Sequence, residues 1–381
     1  MTRHIFALSL FILLAVTAAT LRAEPLIAES ILSAEEAALV APVAPVAPEL
    51  AAAAADPYLN SSAFRITLHW ENDGTIFKPN DNHDRWYTNA AGLAATWRNI
   101  ELSRGIGSWL QWCGDFQPQN TAVGVTISNS MFTPEDITAT ALQTFDRPYA
   151  GYWAFGTYFQ RSTGDEVSAT FEHIQLDLGF IGTHTATDDL QRKIHYIFDQ
   201  PRPNGWSNQL TDEFTAQLYL RKKWRFRVAR FELNDIPPLT MQIIPQATIA
   251  VGTVYRHLEA AVTARVGFNL PDDFGPDRLA DIGSFTTSGA KQGWGGYLYT
   301  RLGGRAIEHN LFIEGSDFLN GHGVRQRPLV GEIGLGFGLH YRNGDFSFDF
   351  TYGQTYLTKE FYGQSTPASY GAFAMTLAWR Y

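Results

Sequence analysis

The C-terminal segment AFAMTLAWRY alternates between large apolar side chains and small or polar ones. Because successive side chains of a strand point to opposite faces, the large ones share one face. They are Phe373, Met375, Leu377, Trp379 and Tyr381. At the edge of a soluble sheet such a face would promote aggregation, whereas in a membrane barrel it contacts lipid. A last strand that ends in an aromatic residue is also typical of outer-membrane barrels, so the segment predicts a transmembrane β-barrel.

The same period of two recurs along the chain from residue 64 onward. The segments are 64–72, 88–98, 119–130, 150–162, 167–181, 213–232, 240–253, 257–268, 292–302, 307–315, 331–342 and 345–356. With the last segment there are thirteen candidates, but a single-chain bacterial barrel has an even number of strands. One candidate is a bent strand counted twice or a segment outside the membrane, and we look for it first in 213–268. The prediction is an all-β, transmembrane antiparallel β-barrel of about 12 strands within residues 61–381.

The connections between these segments differ in length. RNGD (342–345) is a tight turn, whereas the stretches 73–87, 131–149 and 182–212 are long. Outer-membrane barrels have short turns on the periplasmic side and long loops on the cell surface. The long early loops are therefore expected to share the outer end of the barrel.

The N-terminal part of the chain reads as an export signal and a linker. Residues 1–23 combine a short basic start, an apolar run and a small residue before a plausible cleavage point, which is typical of a secretory signal peptide. The run is short for a membrane helix. Residues 24–60 are rich in Ala and Pro and predict a flexible or polyproline-like leader. The expected location of the mature protein is the bacterial outer membrane.

Composition narrows the possible partners. The net charge of −9 argues against a nucleic-acid ligand, which needs a dominant basic surface. Aromatic residues make up 14% of the chain and charged residues only 18%, which favours aromatic-rich β structure. Cys113 is the single cysteine, so an internal disulfide and a cysteine metal cluster are excluded.

Polar residues concentrate at the ends of the first two predicted strands, in HWENDGTIFKPNDNHDRWYTNAAG (69–92). Asn72 and Asp73 end the first strand, and Thr88 begins the second. Gln191 and His195, four residues apart in a later outer loop, would share one face of a short helix. A histidine can take a proton from water near neutral pH, and a carboxylate with neighbouring amide and hydroxyl oxygens can hold a hard cation such as Ca²⁺.

These residues alone leave plainer explanations open. A loop histidine is commonly a surface residue, and an Asn-Asp pair commonly forms an Asx turn. A catalytic arrangement would place the His195 imidazole and the cation-holding acid over one ester bond, with the cation stabilising the oxyanion. The chain contains no G-x-S-x-G motif, which favours direct attack by water over an acyl-enzyme.

Three sequence blocks carry a resemblance to a known family. They are WENDGTIF…DRWYTNAAGLA, FTPED…FDRPYAGYW, and Gln191-x-x-x-His195 followed by Gly205, Trp206 and Gln209. In this order they resemble the outer-membrane lipid A 3'-O-deacylase family (LpxR-type), and the similarity runs from about residue 64 to the C-terminus. The resemblance implies a twelve-stranded barrel with a calcium-dependent esterase site at its outer-leaflet end.

The resemblance also implies roles for individual residues. His195 corresponds to the base that activates water, and Gln191 matches the polar cluster around it. Asp73 is expected to bind Ca²⁺ or lie close to it, and Asn72 and Thr88 to place water, metal or oxyanion. The substrate would be lipid A or lipopolysaccharide, reached through outer-membrane lipid by a monomer. The enzyme would remove the 3'-linked acyloxyacyl group.

The chain departs from the family pattern at two places. Some members have a glutamate six residues beyond the histidine, where this chain has Pro201; Asp199 or Glu213 could replace it. Some members also have a lysine in the loop after the third strand, and this chain has no lysine between Pro134 and Asp146. These departures leave two alternatives: an outer-membrane phospholipase or other lipid esterase, and a non-catalytic barrel that serves as a pore or surface-binding protein.

Three other motifs have a structural interpretation. Asp146-Arg147 in the DRPY block is expected to fix a loop through an Asp–Arg pair, and Asp84-Arg85 likewise. Trp206 is expected to anchor its loop rather than to stack on a ligand. The basic run RKKWRFRVAR (221–230) would pair with acids inside the barrel or, if it lay at the outer end, bind phosphates of the lipid.

Overall fold

The computed structural model describes residues 61–74, 84–110, 120–233, 236–276, 278–279 and 292–381. The predicted signal peptide (1–23), the predicted leader (24–60) and Cys113 lie outside these residues. None of the helices in the described ranges has both the length and the apolar character needed to cross a membrane.

Twelve antiparallel strands form a closed barrel, in which each strand pairs with its neighbours in sequence and the first closes onto the last. The strands are β1 (Ala63–Asn72), β2 (Trp86–Arg98), β3 (Thr121–Thr133), β4 (Ala150–Gly164), β5 (Ser168–Ile181), β6 (Glu213–Leu233), β7 (Ile236–Gly252), β8 (Tyr255–Phe268), β9 (Gly293–Asn310), β10 (Leu329–Asn343), β11 (Phe346–Leu357) and β12 (Ser369–Arg380). The predicted barrel fold is confirmed, and so is its number of strands.

The surplus thirteenth candidate was wrong, and it does not lie in 213–268. The predicted segments 292–302 and 307–315 are a single strand, β9, followed by a short helix (Leu311–Glu314). Between them the sequence GGRA (303–306) interrupts the apolar alternation. Arg305 in this stretch is turned toward Glu259 and Glu332, at 2.9 Å from each, so an internal ion pair replaces the apolar signal.

Alternation gives the barrel wall two chemically distinct faces. In β1 the buried side chains include Arg65, Thr67 and His69, whereas Leu68 and Trp70 are about two-fifths exposed. The polar side chains therefore line the interior, and the apolar ones face outward, as in barrels that sit in lipid. The outward Trp70 ring packs against Phe373 of the neighbouring β12, with centroids 5.2 Å apart, which links the first and last strands at the surface.

The long connections that follow β1, β3 and β5 lie at one end of the barrel, which we assign as the outer end because the first and last barrel residues, Ala63 and Arg380, lie at the other. The outer end carries the helix α1 (Thr187–Ile197) in the connection between β5 and β6. Another helix, Glu101–Trp109, follows β2 at the periplasmic end. At that end Gly344, with φ of 56°, makes the tight turn between β10 and β11, a conformation that glycine adopts without strain.

One periplasmic connection folds back into the barrel interior. After β8, Asp272 pairs with Arg225 and Asp273 pairs with Arg265. Farther along the same connection, Arg278 pairs with Glu332 at 3.0 Å. We call the described residues 271–276 and 278–279 the internal segment. Together with inward side chains it fills part of the lumen of the described barrel, as expected for a closed sheet of this size.

The basic run 221–230 contacts this internal segment. Lys223 donates to the Phe274 carbonyl at 3.5 Å, and the Arg225 guanidinium lies over the Phe274 ring. Arg227 pairs with Glu166 next to the turn between β4 and β5. These cations lie toward the periplasmic end, which excludes a phosphate site at the outer end. Arg225 pairs with the internal acid Asp272, as the first interpretation predicted, whereas the ion pair of Arg227 is at an exposed turn.

Candidate active site

Helix α1 lies against the outward face of the barrel wall. In β3 the exposed Val125 and Ile127 define the outward face, and Asn129 continues that alternation. Asn129 is nevertheless buried, because its amide donates to Thr187 Oγ1 at 3.1 Å. Trp153, which shares the outward face of β4 with the exposed Phe155, donates to a carbonyl in the turn before α1 at 3.0 Å. The helix therefore covers the outside of the wall and not the lumen.

A glycine in β4 permits this close approach. A Cβ added at Gly151 would lie 2.4 Å from Thr185 Oγ1 and 2.5 Å from Thr187 Cβ. Any larger residue at this position would push the first turn of α1 away from the wall. Eleven residues of helix span about 16 Å. Since strands are about 4.8 Å apart, that length reaches from β4 across β3 toward the loop between β1 and β2.

The sequence explains why α1 forms and how it is oriented. Asp188 and Asp189 lie in its first turn, where acidic side chains interact favourably with the helix dipole. Arg192 pairs with Asp188 one turn later at 3.0 Å. The face turned to the wall is buried and consists of Thr187, Gln191 and His195, which follow each other at intervals of four. The predicted common face of Gln191 and His195 is therefore present.

Asp84 is the residue on which the predicted helical pair converges. His195 Nε2 lies 2.7 Å from Asp84 Oδ2, and Gln191 Nε2 donates to the same oxygen at 2.7 Å. Trp206 Nε1 donates to Gln191 Oε1 at 2.7 Å and so fixes the orientation of the amide. The order Trp206, Gln191, Asp84, His195 forms a continuous hydrogen-bonded chain, which we call the relay. Sequence analysis had assigned Asp84 to a scaffold pair and missed its place in the site.

The relay determines which nitrogen of His195 can exchange a proton. Nδ1 lies 2.5 Å from the carbonyl oxygen of Pro201. Because a carbonyl can only accept, Nδ1 carries a proton and Nε2 is the nitrogen available for proton transfer. Burial disfavours the charged ring, but the hydrogen bonds to Asp84 and to Pro201 outweigh it and raise the pKa of His195. Thus the carboxylate of Asp84 stabilises the imidazolium that forms when Nε2 takes a proton.

The other predicted residues occupy the adjoining strand ends. Asn72 Nδ2 donates to the Thr88 carbonyl at 3.0 Å, and Asn72 Oδ1 accepts from the Gly74 amide at 2.8 Å. Thr88 Oγ1 lies 2.8 Å from Thr133 Oγ1. The Asp73 carboxylate accepts from the Arg85 amide at 2.7 Å. Asn72 thus forms the Asx-type contact of the plainer explanation and also joins β1 to β2.

Asp73 and Asp84 are close enough for their charges to interact. Burial, and then the negative charge of Asp84, raise the pKa of Asp73 well above its usual range. Two neighbouring carboxylates in a partly buried position favour a bound cation, and carboxylate oxygens are the ligands that Ca²⁺ prefers. Across the described residues, no group of three or more His, Cys, Asp or Glu side chains is arranged to hold a metal. The pair therefore fits Ca²⁺ in charge and ligand type, and it supplies only part of a ligand set.

The two alternatives for the position of Pro201 do not contact the histidine by any described hydrogen bond. Asp199 is exposed and has a φ of 52°, at the end of α1. Glu213 begins β6 and is paired with Ile181 of β5. In this chain it is the backbone carbonyl of residue 201, and not a side chain, that contacts His195.

Both arginines of the predicted Asp–Arg pairs hold loops in place. The backbone amide of Arg147 donates to Asp146 Oδ1 at 2.7 Å, and its buried side chain pairs with Glu360 of another outer loop at 3.5 Å. Arg85 pairs with Glu135 at 3.7 Å, and Asp84 contacts Gln191 and His195.

Trp206 is buried and packs on Tyr149 with ring centroids 4.9 Å apart, which confirms it as a loop anchor.

The fold and this arrangement define an outer-membrane β-barrel with a polar, histidine-containing site on the outer wall at its cell-surface end. The chain belongs to the family described as outer membrane protein LpxR, whose model matches residues 37–379. Membership supports an outer-membrane enzyme that modifies lipid A.

Comparison with solved structures shows a shared fold with LpxR from Salmonella typhimurium and lower similarity to other barrels. LpxR from Salmonella typhimurium is 14% identical, with a TM-score of 0.62 over 83% of this chain and 100% of that chain. The β domain of the Bordetella autotransporter BrkA is 11% identical, with a TM-score of 0.37 over 84% and 98%. The transport unit of the autotransporter AIDA-I from Escherichia coli is 9% identical, with a TM-score of 0.35 over 84% and 90%. No curated protein matched the sequence.

Proposed function

We propose that this protein is a carboxylic ester hydrolase of the outer membrane that removes the 3'-linked acyloxyacyl group from lipid A. The observation that carries the proposal is the relay, which holds a histidine with a defined proton-accepting nitrogen between α1 and the outer wall. We choose lipid A over other esters as the substrate because the chain belongs to the LpxR family. The position outside the wall allows a lipid of the outer leaflet to approach sideways.

His195 would act as the general base. Since Nδ1 is held by the Pro201 carbonyl, Nε2 takes the proton of the attacking water. Once protonated, Nε2 donates to Asp84, which stabilises the imidazolium. For the neutral ring to take a proton, water must replace the carboxylate at Nε2, because a carboxylate and an unprotonated Nε2 both only accept. Gln191 holds the Asp84 carboxylate in position, and Trp206 holds the Gln191 amide. The proton returns from Nε2 to the departing alkoxide of the sugar.

Ca²⁺ is the proposed cofactor, with Asp73 and Asp84 as the described side chains that would hold it and Asn72 next to them. A bound cation of this type polarises an ester carbonyl and stabilises the negative charge that develops on its oxygen. Thr88 is placed beside this group by its contacts with Asn72 and Thr133 and would position water or the oxyanion.

The test is mass spectrometry of lipid A from membranes that contain the wild-type chain, His195→Ala or His184→Ala. His184 is the matched control, because it lies in the same outer connection, is 80% exposed and is not part of the relay. We expect loss of the 3'-linked acyl group with wild type and His184→Ala, and a rate roughly 10²–10⁴-fold lower with His195→Ala.

Two outcomes would contradict the proposal. If His195→Ala deacylated lipid A at the wild-type rate, the histidine would have no part in the mechanism. If lipid A were unchanged and fatty acid were released from phospholipid, the substrate would be phospholipid and the protein would be a phospholipase.

A further inference from the structure

The polar face of helix α1, and not an apolar one, packs against the barrel wall. A helix on a soluble protein normally turns its apolar stripe to the core and its polar residues to water. In α1 the face against the wall is polar, with Thr187, Gln191 and His195 buried. The apolar side chains lie on a neighbouring side of the helix and stay partly exposed: Leu190 is 41% exposed, Ile194 38% and Ile197 71%.

These three side chains form a continuous stripe. Leu190, Ile194 and Ile197 follow the spacing i, i+4, i+7, which places them along one side of a helix. We call them the α1 ridge. The charged Asp189 and Lys193 project from a different side, so the helix separates an apolar surface from a charged one. In the described part of the chain, each of the three ridge residues remains 38% or more exposed.

The ridge is next to the aromatic, lipid-facing surface of the barrel. Trp153 on the outward face of β4 is hydrogen-bonded to the turn that begins α1. Its ring stacks on Phe155, and Phe155 stacks on Phe180, each at 6.4 Å. Phe214, the strand partner of Phe180, is 88% exposed. Aromatic residues at a barrel end mark the boundary between hydrocarbon and headgroups.

We propose that the α1 ridge is seated in the outer leaflet of the membrane, with lipid acyl chains as its partner. The charged side of α1 then faces headgroups and water, and the helix fixes the depth of the site relative to the leaflet. The proposal depends on the outer-membrane location of the barrel and not on the proposed hydrolysis, so either can fail without the other.

Single spin labels test the environment of the ridge directly. The full chain, with Cys113→Ser to remove the only cysteine, is labelled at one introduced cysteine: Leu190→Cys, Ile194→Cys or Ile197→Cys. Asp189→Cys and Lys193→Cys are the matched controls on the same helix. The protein is reconstituted in bilayers that contain lipopolysaccharide and phospholipid, and each label is challenged with oxygen, which concentrates in hydrocarbon, and with a water-soluble nickel complex.

We expect the ridge labels to collide at least severalfold more with oxygen than with the nickel complex, and the two control labels to show the reverse preference. Heat-dependent mobility in gel electrophoresis verifies that each labelled barrel is folded. Nickel accessibility at the ridge equal to that at the controls would overturn the proposal and place the ridge in water. Strong dipolar coupling between ridge labels of different molecules would also overturn it, because the ridge would then contact a second copy of the chain.

Discussion

Gly151 is the point where α1 and the barrel wall come closest, and replacing it tests whether the seating of α1 controls activity. In Gly151→Ala the added Cβ would lie 2.4 Å from Thr185 Oγ1 and 2.5 Å from Thr187 Cβ, whereas ordinary contacts begin at 3.4 Å. Closely packed interiors do not absorb such an overlap. The first turn of α1 must therefore move outward by about 1 Å.

This displacement acts on the same helical face that carries Gln191 and His195. Misplacing a catalytic group by about 1 Å can lower a rate by roughly 10²-fold. Because the relay can recover part of the displacement over the two further turns to His195, we expect turnover to fall roughly tenfold to hundredfold. The barrel should remain folded, since its strand register does not depend on the outward face of β4 at this residue.

The assay is the initial rate of acyl release from lipid A in mixed micelles, together with the thermal unfolding midpoint of the barrel. Gly304→Ala is the matched control, because the nearest atom to its added Cβ is the Val330 carbonyl oxygen at 3.8 Å. Turnover of Gly151→Ala within twofold of wild type would refute the reasoning. Equal losses in both variants would refute it as well, since the effect would then be a general cost of losing a strand glycine.

Three further predictions concern other contacts. Trp206→Phe removes the donor to a buried glutamine amide, and an unsatisfied buried group costs about 1–3 kcal/mol. Turnover should therefore fall by about tenfold or more. Tyr149→Phe loses a neighbouring buried hydrogen bond outside the relay, and its turnover should stay within twofold of wild type. Chelation of Ca²⁺ should abolish acyl release. Asp73→Asn should raise the Ca²⁺ concentration needed for half-maximal acyl release roughly tenfold, because Ca²⁺ affinity depends on ligand charge. An unchanged calcium titration would exclude Asp73 as a ligand. Arg278→Met should loosen the internal segment and raise single-channel conductance in planar bilayers. Arg227→Met is the control, because its ion pair is exposed, and its conductance should equal that of wild type. Equal conductance in both variants would show that the segment does not close the lumen.

Most of the fold could be predicted because lipid imposes a strict rule on barrel strands. Outward positions must be apolar, and the period of two is therefore legible in segments such as AFAMTLAWRY. The alternation is lost where inward positions are charged and side chains are missing. In β9, Arg305 turns inward to Glu332, and Gly303 and Gly304 beside it have no side chain that could alternate. A pattern based on lipid contact therefore divided this strand in two.

The site was predicted only where its geometry is local. The interval of four between Gln191 and His195 is a property of any helix, so their shared face follows from sequence. The position of Asp84 depends on where a loop between β1 and β2 meets a helix more than a hundred residues later. One signal was available: a buried His and Gln on one face need a common acceptor, and the DRWYT block contains an acid, Asp84. Sequence analysis assigned this acid to a pair with the neighbouring Arg85 instead.

The outward position of the site connects these observations. Trp70 and Asn72 are two residues apart in β1 and therefore project from the same face of the wall. Along β1, the surface that contacts hydrocarbon is therefore followed, two residues later, by the polar group beneath α1. The ester bonds of a membrane lipid lie at this same boundary, between buried acyl chains and exposed headgroups. A histidine held on the outer wall can therefore meet such a bond while the lipid stays in its leaflet, whereas a site in the occupied lumen would require the acyl chains to leave the membrane and displace the internal segment.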